Sequence, residues 1–458
     1  MLLGVLAPLA LLLHAIGVLT AMHAVVHTRT PQGAMAWALG LVLLPYFTLI
    51  PYLYLGASRF HGYLHSRPVR DWRATAVETD PACLRYAAIG AMLGQRFSGP
   101  HALRLLVNGP AAFEAMFAAI AGARQRLLVQ FFVIHDDGLG RRLQHALLER
   151  AAAGVQVCVL YDGIGSHDLP RHYLDTLRAG GVAIHPFATH RWRNRFQLNF
   201  RNHRKIVVVD GRLGYVGGLN VGDEYLGLKP PLAPWRDTQL ELRGPVVADL
   251  QQLFAADWQW ITGERLPTLP APACDGDARV LAVASGPADL RETCSLFFTA
   301  AINAAQHRVW LSTPYFVPDQ AVLAALQLAV LRGVDVRVLI PSRPDHRGVF
   351  LASTLHAHHA LRAGIGMFRY QPGFLHQKAL LIDDDSAAIG SMNLDSRSFR
   401  LNFELNVLVV DRAFAAEVAA MLEQDFAQAV AVDPREYLAA PYLRRVAMHV
   451  ARLFDPLL

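Results

Sequence analysis

The chain has 458 residues, of which 53% are hydrophobic and only 17% are charged. An average soluble protein has roughly 25% charged residues, so this composition excludes a disordered chain and indicates a large apolar surface buried in a core or in lipid. The net charge of +6 suits anionic partners, lipid included, but is too small to indicate nucleic-acid binding by itself. The four cysteines lie too far apart for a zinc ribbon or a dense disulfide framework.

Two apolar runs occupy the N-terminus. Residues 1–28 and 30–58 carry no Asp, Glu, Lys or Arg, and Arg29 alone separates them. Each run exceeds the ~20 residues that cross a hydrocarbon core about 30 Å thick. We therefore predict a transmembrane helical hairpin over residues 1–58 and a juxtamembrane connector over 59–100. Two alternatives stay open: a cleaved signal peptide for the first run, and a re-entrant segment for the second, since Pro45 and Pro51 would each disturb a helix.

The charges that flank these runs predict the orientation in the membrane. One Arg lies in the connection, whereas Arg59, Arg67, Arg70 and Arg73 follow the second run. By the positive-inside rule, the rest of the chain lies in the cytoplasm and the turn at residues 28–31 faces outward.

The remainder of the chain contains an internal duplication. Three pairs of segments recur at offsets of 177 to 184 residues: Asn108–Pro110 with Ser285–Pro287, Gly154–Leu160 with Gly333–Leu339, and Leu177–Gly180 with Leu361–Gly364. The middle pair consists of short apolar runs of the kind found in buried strands, and helical patterns surround them. We predict an α/β fold with two similar mixed-sheet halves, residues 101–265 and 266–458, the second ending in a helical tail. The Pro-rich stretch 267–272 is the expected linker.

Each half carries one copy of the same polar constellation. The first copy has His203, Lys205, Asp210 and Gly217-Gly-Leu-Asn220, and the second, at identical spacing, has His376, Lys378, Asp383 and Gly390-Ser-Met-Asn393. Because residues two apart on a strand share a face, each His should project beside its Lys. The turn signals at the two Asp residues should return each Asn on a neighbouring strand near its His, and the first Gly of each copy should leave room for a ligand.

Two His, two Lys and two Asn that converge suit a reaction at a phosphodiester. Negative charge gathers on the equatorial oxygens as a nucleophile adds, and cationic or amide donors aimed there lower the barrier. One imidazole can attack phosphorus while the other protonates the departing oxygen. A metal site is not expected, since no H-E-x-x-H occurs and the lysines would repel a cation. The cluster of His356, His358 and His359 is more simply a helix surface.

With these motifs the chain resembles the phospholipase D superfamily, whose signature is H-x-K-x4-D followed by G-[GS]-x-N. Within it, the chain is most similar to the bacterial cardiolipin synthases with two N-terminal membrane helices. Further stretches that carry the resemblance are Arg201–Lys205, Gly217–Gly227, Trp235–Thr238, Thr313–Pro318 and Asp455–Leu458. The resemblance implies one bilobal catalytic domain made of two phospholipase D-like halves, held at the bacterial inner membrane as a multi-pass protein with the catalytic domain in the cytoplasm.

The implied activity is transfer of a phosphatidyl group from one phosphatidylglycerol to a second, with release of glycerol and without a cofactor. The expected partners are phosphatidylglycerol and other anionic phospholipids, and no nucleic acid. By this resemblance His203 is the nucleophile and His376 the acid and then the base, although the motifs leave that order open. A membrane phospholipase D that uses water, or a phosphatidyltransferase with another acceptor, remains an alternative, because the motifs do not report how the pocket excludes water.

The resemblance also implies roles for the surrounding residues. Lys205, Lys378, Asn220 and Asn393 would hold the phosphate oxygens. Asp210 and Asp383 complete the catalytic motifs, but fixing the strand ends is their more expected role. The superfamily places an acidic residue against each histidine, where it holds the ring in one tautomer. Glu404 fits that place in the second half, and Asp237 is the candidate in the first.

Three segments depart from the family pattern or leave two interpretations open. Gln130 stands where a glutamate is common, which would affect the acceptor site. The tail 443–454 has no acidic residue and fits either a packed domain helix or a basic amphipathic helix on the membrane. The segment Arg191–Phe196 mixes cations with aromatics and fits either a contact with anionic headgroups or a solvated loop.

Overall fold

The computed structural model describes residues 2–28, 30–56, 60, 63, 77–187 and 199–457. Several residues named above lie outside these ranges, so the structure says nothing of them: Arg29, Arg59, Arg67, Arg70, Arg73 and the segment 191–196.

Three helices form the N-terminal apolar region. They are α1 (Leu2–His27), α2 (Pro31–Leu43) and α3 (Pro45–Leu55). Of the helices in the described parts of the chain, only α1 is long and apolar enough to cross a membrane, over Ala7–His27. The thirteen residues of α2 rise about 20 Å, which is short of a hydrocarbon core.

The second apolar run does not form the single crossing helix expected of a transmembrane hairpin. It breaks before Pro45, whose nitrogen carries no hydrogen to continue the ladder of α2. The Thr48 hydroxyl then donates to the carbonyl of Gly40 at 2.9 Å, and the Trp37 and Tyr52 ring centroids lie 5.2 Å apart. The third helix therefore runs back along α2, as in the re-entrant alternative.

Contacts with α1 give the same direction. Tyr46 at the start of α3 hydrogen-bonds His14 at 3.0 Å, and Tyr52 near its end hydrogen-bonds His23 at 2.8 Å. Thus α3 runs parallel to α1, and both ends of the second apolar run lie near the C-terminal end of α1. The Asn199 amide donates to the carbonyl of Leu55 at 2.7 Å, which ties this end to the catalytic domain.

The described part of the connector, from residue 77, packs on the second half. It contains a 3-10 turn (Leu84–Tyr86) and α4 (Ala87–Leu93). Cys83, Tyr86 and Ile89 are buried in the second-half core, and the Arg85 guanidinium pairs with Asp383 at 2.9 Å.

In the described residues, the first half contains nine strands and four α-helices. In chain order they are β1 (Ala102–Val107), α5 (Asn108–Ala121), β2 (Arg126–Phe131), α6 (Gly138–Ala152), β3 (Gln156–Asp162), α7 (Arg171–Ala179), β4 (Ala183–Phe187), β5 (Arg201–Asn202), β6 (Ile206–Val209), β7 (Leu213–Gly217), β8 (Trp235–Arg236), β9 (Thr238–Arg243) and α8 (Val246–Thr262).

The second half repeats this order and adds a tail. Its elements are β10 (Arg279–Ser285), α9 (Thr293–Ala304), β11 (Arg308–Ser312), α10 (Gln320–Leu331), β12 (Asp335–Pro341), α11 (Arg347–Arg362), β13 (Gly366–Tyr370), β14 (Phe374–Leu375), β15 (Ala379–Ile382), β16 (Ser386–Gly390), α12 (Ser396–Arg400), β17 (Asn402–Val410), α13 (Arg412–Ala427), β18 (Ala429–Ala431) and α14 (Tyr442–Leu453).

The two main sheets have the same strand order, which confirms the predicted duplication. The first runs β1-β9-β7-β6-β2-β3-β4, and the second runs β10-β17-β16-β15-β11-β12-β13 with β18 added at its edge. In each sheet the βα units give parallel neighbours (β2-β3-β4 and β11-β12-β13), while the motif strands pair antiparallel. Motif strands such as Ile206–Val209 are buried at every residue, as continuous apolar strands are when both faces of a sheet are covered.

One apolar core joins the halves. Leu128 and Leu160 of the first sheet and Trp310 and Leu381 of the second belong to the same buried cluster, together with α8 and α13. The expected linker, residues 267–272, runs between α8 and β10. The halves therefore form one body whose motif strands end on a common interface.

The C-terminal helix α14 packs on α11. Met448 and Ala451 are its buried residues. The ring of His356 on α11 is also buried and pairs with Asp455 at 2.8 Å, so the interpretation of His356 as surface was wrong, because the tail covers it.

Candidate active site

Two short strands cross from one half to the other and carry the motif histidines. The strand β5 pairs in parallel with β17, and β14 pairs in parallel with β8. The His203 N–H donates to the carbonyl of Phe403 at 2.9 Å, and the His376 N–H donates to the carbonyl of Arg236 at 2.8 Å. Each histidine is thereby placed beside the strand of the opposite half.

This crossing decides which carboxylate faces which histidine. His203 Nδ1 lies 2.9 Å from both carboxylate oxygens of Glu404, and His376 Nδ1 lies 2.6 Å from Asp237 Oδ2. Both acids were predicted to orient histidines, but the pairing within each half was wrong. The reason is that β5 and β14 hydrogen-bond to strands of the other half, which the spacing of the motifs does not reveal.

Burial and charge set the protonation of these groups. Burial lowers the pKa of His203 and of His376 to about 4. Burial would raise the pKa of Glu404 and Asp237, but the facing histidines and lysines outweigh it and hold both below their usual range. At neutral pH the imidazoles are therefore neutral and the carboxylates ionised. Each ring then donates Nδ1–H to its carboxylate and keeps Nε2 as a base or nucleophile.

The two motif lysines are buried against the histidines. Lys205 Nζ donates to the carbonyl of His203 at 2.7 Å, and Lys378 Nζ lies 3.0 Å from the ring nitrogens of His376. Burial lowers the pKa of Lys378 to about 8 and the pKa of Lys205 well below its usual range. An anionic group that enters the site would relieve this penalty, because it favours the charged form of both amines.

The two carboxylates have unequal surroundings. Glu404 also accepts hydrogen bonds from Ser391 at 2.5 Å, Ser398 at 2.9 Å and Asn402 at 3.1 Å. At the position equivalent to Ser391 the first half has Gly218, where an added Cβ would lie 2.1 Å from Asp237 Oδ1. The first motif therefore has a glycine at position 218, where Asp237 leaves no room for a side chain. The second motif has Ser391 at the equivalent position, where its hydroxyl binds Glu404.

The two motif asparagines are buried close to these pairs. The Asn220 amide donates to the Tyr225 hydroxyl at 2.9 Å, and the Tyr225 ring lies 6.3 Å from the ring of His376. The Asn393 N–H donates to Ser398 at 3.2 Å, a residue that also bonds Glu404. Asn393 Oδ1 is buried without a hydrogen-bond partner among the described residues, so its amide group has unused capacity for a ligand.

The glycines before the asparagines serve the neighbouring strand rather than a ligand. A Cβ at Gly217 would lie 2.4 Å from the carbonyl oxygen of Thr238, and one at Gly390 would lie 2.2 Å from that of Leu405. The ligand space predicted at these positions is therefore filled by backbone. Aromatic rings border the histidines instead: Phe132 lies 4.9 Å from His203.

Asp210 and Asp383 lie away from the histidines, at the far ends of the motif strands. The Asp210 carboxylate accepts the backbone N–H groups of residues 124–126 at 2.7 to 2.9 Å. The Asp383 carboxylate does the same for residues 306–308 at 2.8 to 3.2 Å. Both occupy a left-handed turn, with φ of 52°. These bonds agree with the expected role of fixing strand ends, and among the described contacts neither aspartate bonds a motif histidine.

A buried layer beneath the motifs was missed from the sequence. The middle residue of each H-x-K binds an aspartate on a helix later in the same half. Arg204 pairs with Asp257 of α8 at 3.1 Å, and Gln377 donates to Asp425 of α13 at 3.0 Å. The available signal was a repeated Asp-aromatic pair, Asp257-Trp258 and Asp425-Phe426. Because these pairs stand in helices, the spacing of the motif strands gave no reason to connect them.

The same layer accounts for Gln130 and reaches the membrane region. The Gln130 amide donates to Asp257 at 2.8 Å, so this residue supports the motif from below. The Tyr63 hydroxyl donates to the same carboxylate. Tyr63 and Phe60 are buried in an aromatic cluster with Phe403, next to Glu404. The start of the connector, just after the N-terminal apolar helices, is thus packed beside the active-site residue Glu404.

Among the residues that the structure describes, no group of three or more His, Cys, Asp or Glu side chains is placed to hold a metal ion. His358 stacks on Tyr437 with ring centroids 4.5 Å apart, and His356 pairs with Asp455. The interface of the halves instead brings together two imidazoles and two amines, with the two motif asparagines buried close by.

Comparison with known proteins gives the same picture. The family described as "Cardiolipin synthase, PLD-like domain" matches residues 116–258 and 298–427. The chain is 56% identical over 464 residues to cardiolipin synthase A of Pseudomonas aeruginosa, covering 97% of this chain and 95% of that one. It is also 56% identical over 466 residues to cardiolipin synthase A of Pseudomonas fluorescens, covering 98% and 97%. Among solved structures, the phosphatidylserine synthase of Haemophilus influenzae shares the fold, with a TM-score of 0.58, 13% identity, and coverage of 78% of this chain and 95% of that chain.

Proposed function

We propose that this chain, which belongs to the cardiolipin synthase family of phospholipase D-like proteins, transfers a phosphatidyl group between two phosphatidylglycerol molecules. The observation that carries the proposal is the pair of buried His-carboxylate units, each made from both halves, beside two buried lysines. Two buried amines beside two buried imidazoles favour an anionic substrate such as a phosphodiester.

The first step forms a covalent intermediate. His203 Nε2 attacks the phosphorus of one phosphatidylglycerol, the bond from phosphorus to the glycerol oxygen breaks, and His376, which takes up a proton when the anionic substrate binds, gives that oxygen the proton on its Nε2. Glycerol leaves and the phosphatidyl group stays on His203. The Glu404 carboxylate, 2.9 Å from Nδ1, stabilises the positive charge that develops on the attacking ring.

The second step regenerates the enzyme. The terminal hydroxyl of a second phosphatidylglycerol gives its proton to His376 and attacks phosphorus, and the bond to His203 breaks to yield cardiolipin. Lys205, Lys378, Asn220 and Asn393 hold the phosphate oxygens in both steps. The carboxylate of Asp237, 2.6 Å from His376, favours the imidazolium that His376 must be before the first step and becomes again after the second.

The membrane region supports a lipid substrate. The helix α1 is apolar over Ala7–His27, and the end of α3 binds Asn199, four residues before His203. We place the protein in the bacterial inner membrane with the catalytic halves in the cytoplasm. The proposal involves phosphatidylglycerol and other anionic phospholipids as partners, and it assigns no step to a cofactor or a nucleic acid.

The test uses membranes from a host that lacks cardiolipin. Wild type, His203→Ala and His376→Ala are each supplied with labelled phosphatidylglycerol, and cardiolipin, phosphatidic acid and glycerol are measured together. His145→Ala is the matched control, because the His145 side chain is 77% exposed on α6. We expect cardiolipin and glycerol in equal amounts for wild type and control, and neither product in the two active-site variants.

Other outcomes would move the assignment. Phosphatidic acid without cardiolipin would identify a hydrolase that uses water. Turnover only after another alcohol-bearing lipid is added would identify a different acceptor. Cardiolipin made by either active-site variant would contradict the two-histidine mechanism.

A further inference from the structure

The helix α14 presents an apolar stripe that nothing in the described structure covers. It contacts α11 through its buried residues Met448 and Ala451. On the outward side Leu443 and Leu453 are 80% and 78% exposed, and Val446, Val450 and Phe454 are exposed with them. These five residues recur at intervals of three, four, three and one, which places them on one side of a helix.

The charges on this helix are of one sign. Arg444, Arg445 and Arg452 stand among the apolar residues, and α14 contains no Asp or Glu. Arg444 and Arg452 are exposed. A helix that combines an exposed apolar stripe with arginines and no acid complements the boundary of an anionic bilayer, where the apolar stripe enters the acyl region and the guanidinium groups meet phosphates.

A chain of contacts places α14 on the membrane side of the catalytic domain. The turn that follows it, Asp455–Leu457, contacts α12. From α12 the Arg397 guanidinium donates to the carbonyl of Asn199 at 3.1 Å, and the Asn199 amide donates to the carbonyl of Leu55 at 2.7 Å. The tail and the last turn of the membrane helices are thus separated by one short helix and one residue.

We propose that α14 lies on the surface of an anionic bilayer, with its apolar stripe inserted, as a second membrane contact beside the N-terminal helices. Two contacts fix the tilt of the catalytic domain, where one tether would let it rotate. The active site, where Ser398 of α12 binds Glu404, then lies close to the lipid surface. This inference concerns position and stands apart from the reaction proposed above.

The test measures depth in the bilayer with the full-length protein. In a Cys274→Ser background, where the remaining thiols are buried, Leu443→Cys is labelled with an environment-sensitive fluorophore. The protein is reconstituted in phosphatidylcholine vesicles with or without about 30% phosphatidylglycerol, and nitroxide lipids in both leaflets quench the label. Leu331→Cys is the control, because Leu331 is equally exposed at 81%. Leu331 is the last residue of α10. The next residue, Arg332, donates to the carbonyl of Ala305, beside the loop whose backbone N–H groups bind Asp383.

We expect quenching at position 443 to exceed that at 331 by about twofold or more in the anionic vesicles, and to fall when phosphatidylglycerol is left out. Equal quenching at the two positions would overturn the proposal. Strong quenching at 443 that is the same in both lipids would overturn the assignment to an anionic surface. Protection of the label in detergent that grows with protein concentration would assign the stripe to a second copy and overturn it as well. Cardiolipin synthesis by the labelled variants shows that they are folded. If the wild type itself made no cardiolipin, that result would contradict the proposed function and leave the membrane contact of α14 unaffected.

Discussion

Glu404 and Asp237 hold their histidines in different surroundings, and this makes their roles separable. Glu404 binds three further side chains, whereas Asp237 accepts only the Thr238 N–H at 2.8 Å besides His376 among the bonds described. If His203 attacks and His376 protonates the leaving oxygen, Glu404 serves bond formation and Asp237 serves the leaving group. A substrate whose leaving group needs no proton should therefore tell the two apart.

We predict that Glu404→Gln and Asp237→Asn each lower the rate with phosphatidylglycerol by about 10²- to 10⁴-fold, as the loss of a carboxylate behind a catalytic imidazole does. With a nitrophenyl phosphodiester, whose phenolate leaves unprotonated, Asp237→Asn should recover most of its rate and Glu404→Gln should not. The measurement is the release of nitrophenol by both variants and by His376→Asn, which should recover like Asp237→Asn.

Thermal unfolding of each variant is the control, because Glu404 is fully buried. Recovery of Glu404→Gln instead of Asp237→Asn would mean that each acid serves the histidine of its own half, or that His376 is the nucleophile. Labelled phosphohistidine trapped on His203 or His376 decides between these two.

The lowered pKa values of the histidines predict that substrate binding takes up a proton. In the free site burial holds the pKa of His376 at about 4, so at about pH 6 the ring is neutral. An anion bound between Lys205 and Lys378 favours the imidazolium and raises that pKa. Protons should therefore be bound with the anion, and the uptake should shrink as the pH rises above the pKa of the complex.

Sulfate is a suitable probe, because it stays fully ionised at this pH and brings no proton itself. Calorimetric titration in two buffers of different ionisation enthalpy should show a fraction of a proton taken up by wild type. His376→Asn should bind sulfate with much less uptake. Identical apparent enthalpies in both buffers for wild type would show that the histidines do not change protonation on binding.

Eight of the ten predicted site residues stand out in the sequence, because two copies of one spacing single them out. Their partners were harder to predict. Asp237 and Glu404 were chosen by position, but which histidine each would face depends on how β5 and β14 cross between the halves. Asp257 and Asp425 stand on helices outside the motifs, so only the fold connects them to Arg204 and Gln377.

At the scale of elements, the motif strands are held at one end by the catalytic interface and at the other by an aspartate. Asp210 and Asp383 each bind three successive backbone N–H groups of the neighbouring loop. Seven positions separate each aspartate from its histidine, at most about 23 Å at the usual rise per residue of a strand. The equal spacing in the two motifs therefore reflects the length of the strand, not shared chemistry.

We predict that Asp210→Asn lowers the free energy of unfolding by about 1–3 kcal/mol, the range for hydrogen bonds to a charged group. The rate per folded molecule should stay within a few-fold of wild type, because the carboxylate does not contact the site. Chemical denaturation followed by tryptophan fluorescence and an activity assay on the same preparation give both numbers.

Asp384→Asn is the matched control for the turn in the second half. This side chain pairs with Arg308 but is 76% exposed, and exposed ion pairs contribute about 0–1 kcal/mol. A loss of rate in Asp210→Asn without a loss of stability would show that the aspartate acts in the reaction after all.

The likeness of the two sheets could also be predicted from the sequence, since the repeated apolar runs show which strands correspond, but their strand order could not. The lengths of the motif elements could not. The segment 203–205 was expected to lie within a strand, yet it bridges the two-residue strand β5 and the strand β6. Because the chain leaves one sheet and enters the other at this point, the histidine and lysine lie between regular elements.

At the scale of the whole molecule, the membrane region and the active site form one continuous structure. Phe60 and Tyr63 pack in a cluster with Phe403, and Tyr63 binds Asp257 beneath the first motif. Composition alone predicted that residues 1–58 enter the membrane, but it could not show the reversal at Pro45. An apolar helix that spans and one that turns back have the same hydropathy, and the difference lies in packing between Gly40 and Thr48.

This reversal leads to a prediction about topology. If α2 and α3 turn back within the membrane, position 32 lies on the same side as the catalytic halves. A spanning hairpin would put it on the opposite side. We predict that Gln32→Cys, like Leu331→Cys, is labelled by a membrane-impermeant thiol reagent only after the cells are permeabilised, whereas Leu3→Cys at the other end of α1 is labelled in intact cells.

The experiment uses the Cys274→Ser background, with the unsubstituted background as the control for buried thiols. Gln32 is exposed in the first turn of α2, so its substitution should not disturb packing.

Labelling of positions 32 and 331 together in intact cells, with position 3 protected, would keep the reversal but invert the orientation, because both ends of the second run would still share one side. Labelling of position 32 in intact cells while 331 stays protected would restore the spanning hairpin. In that case the contact between Asn199 and Leu55 could not coexist with the packing of Tyr46 on His14 and of Tyr52 on His23, since those contacts require α3 to return to the end of α1 from which α2 began.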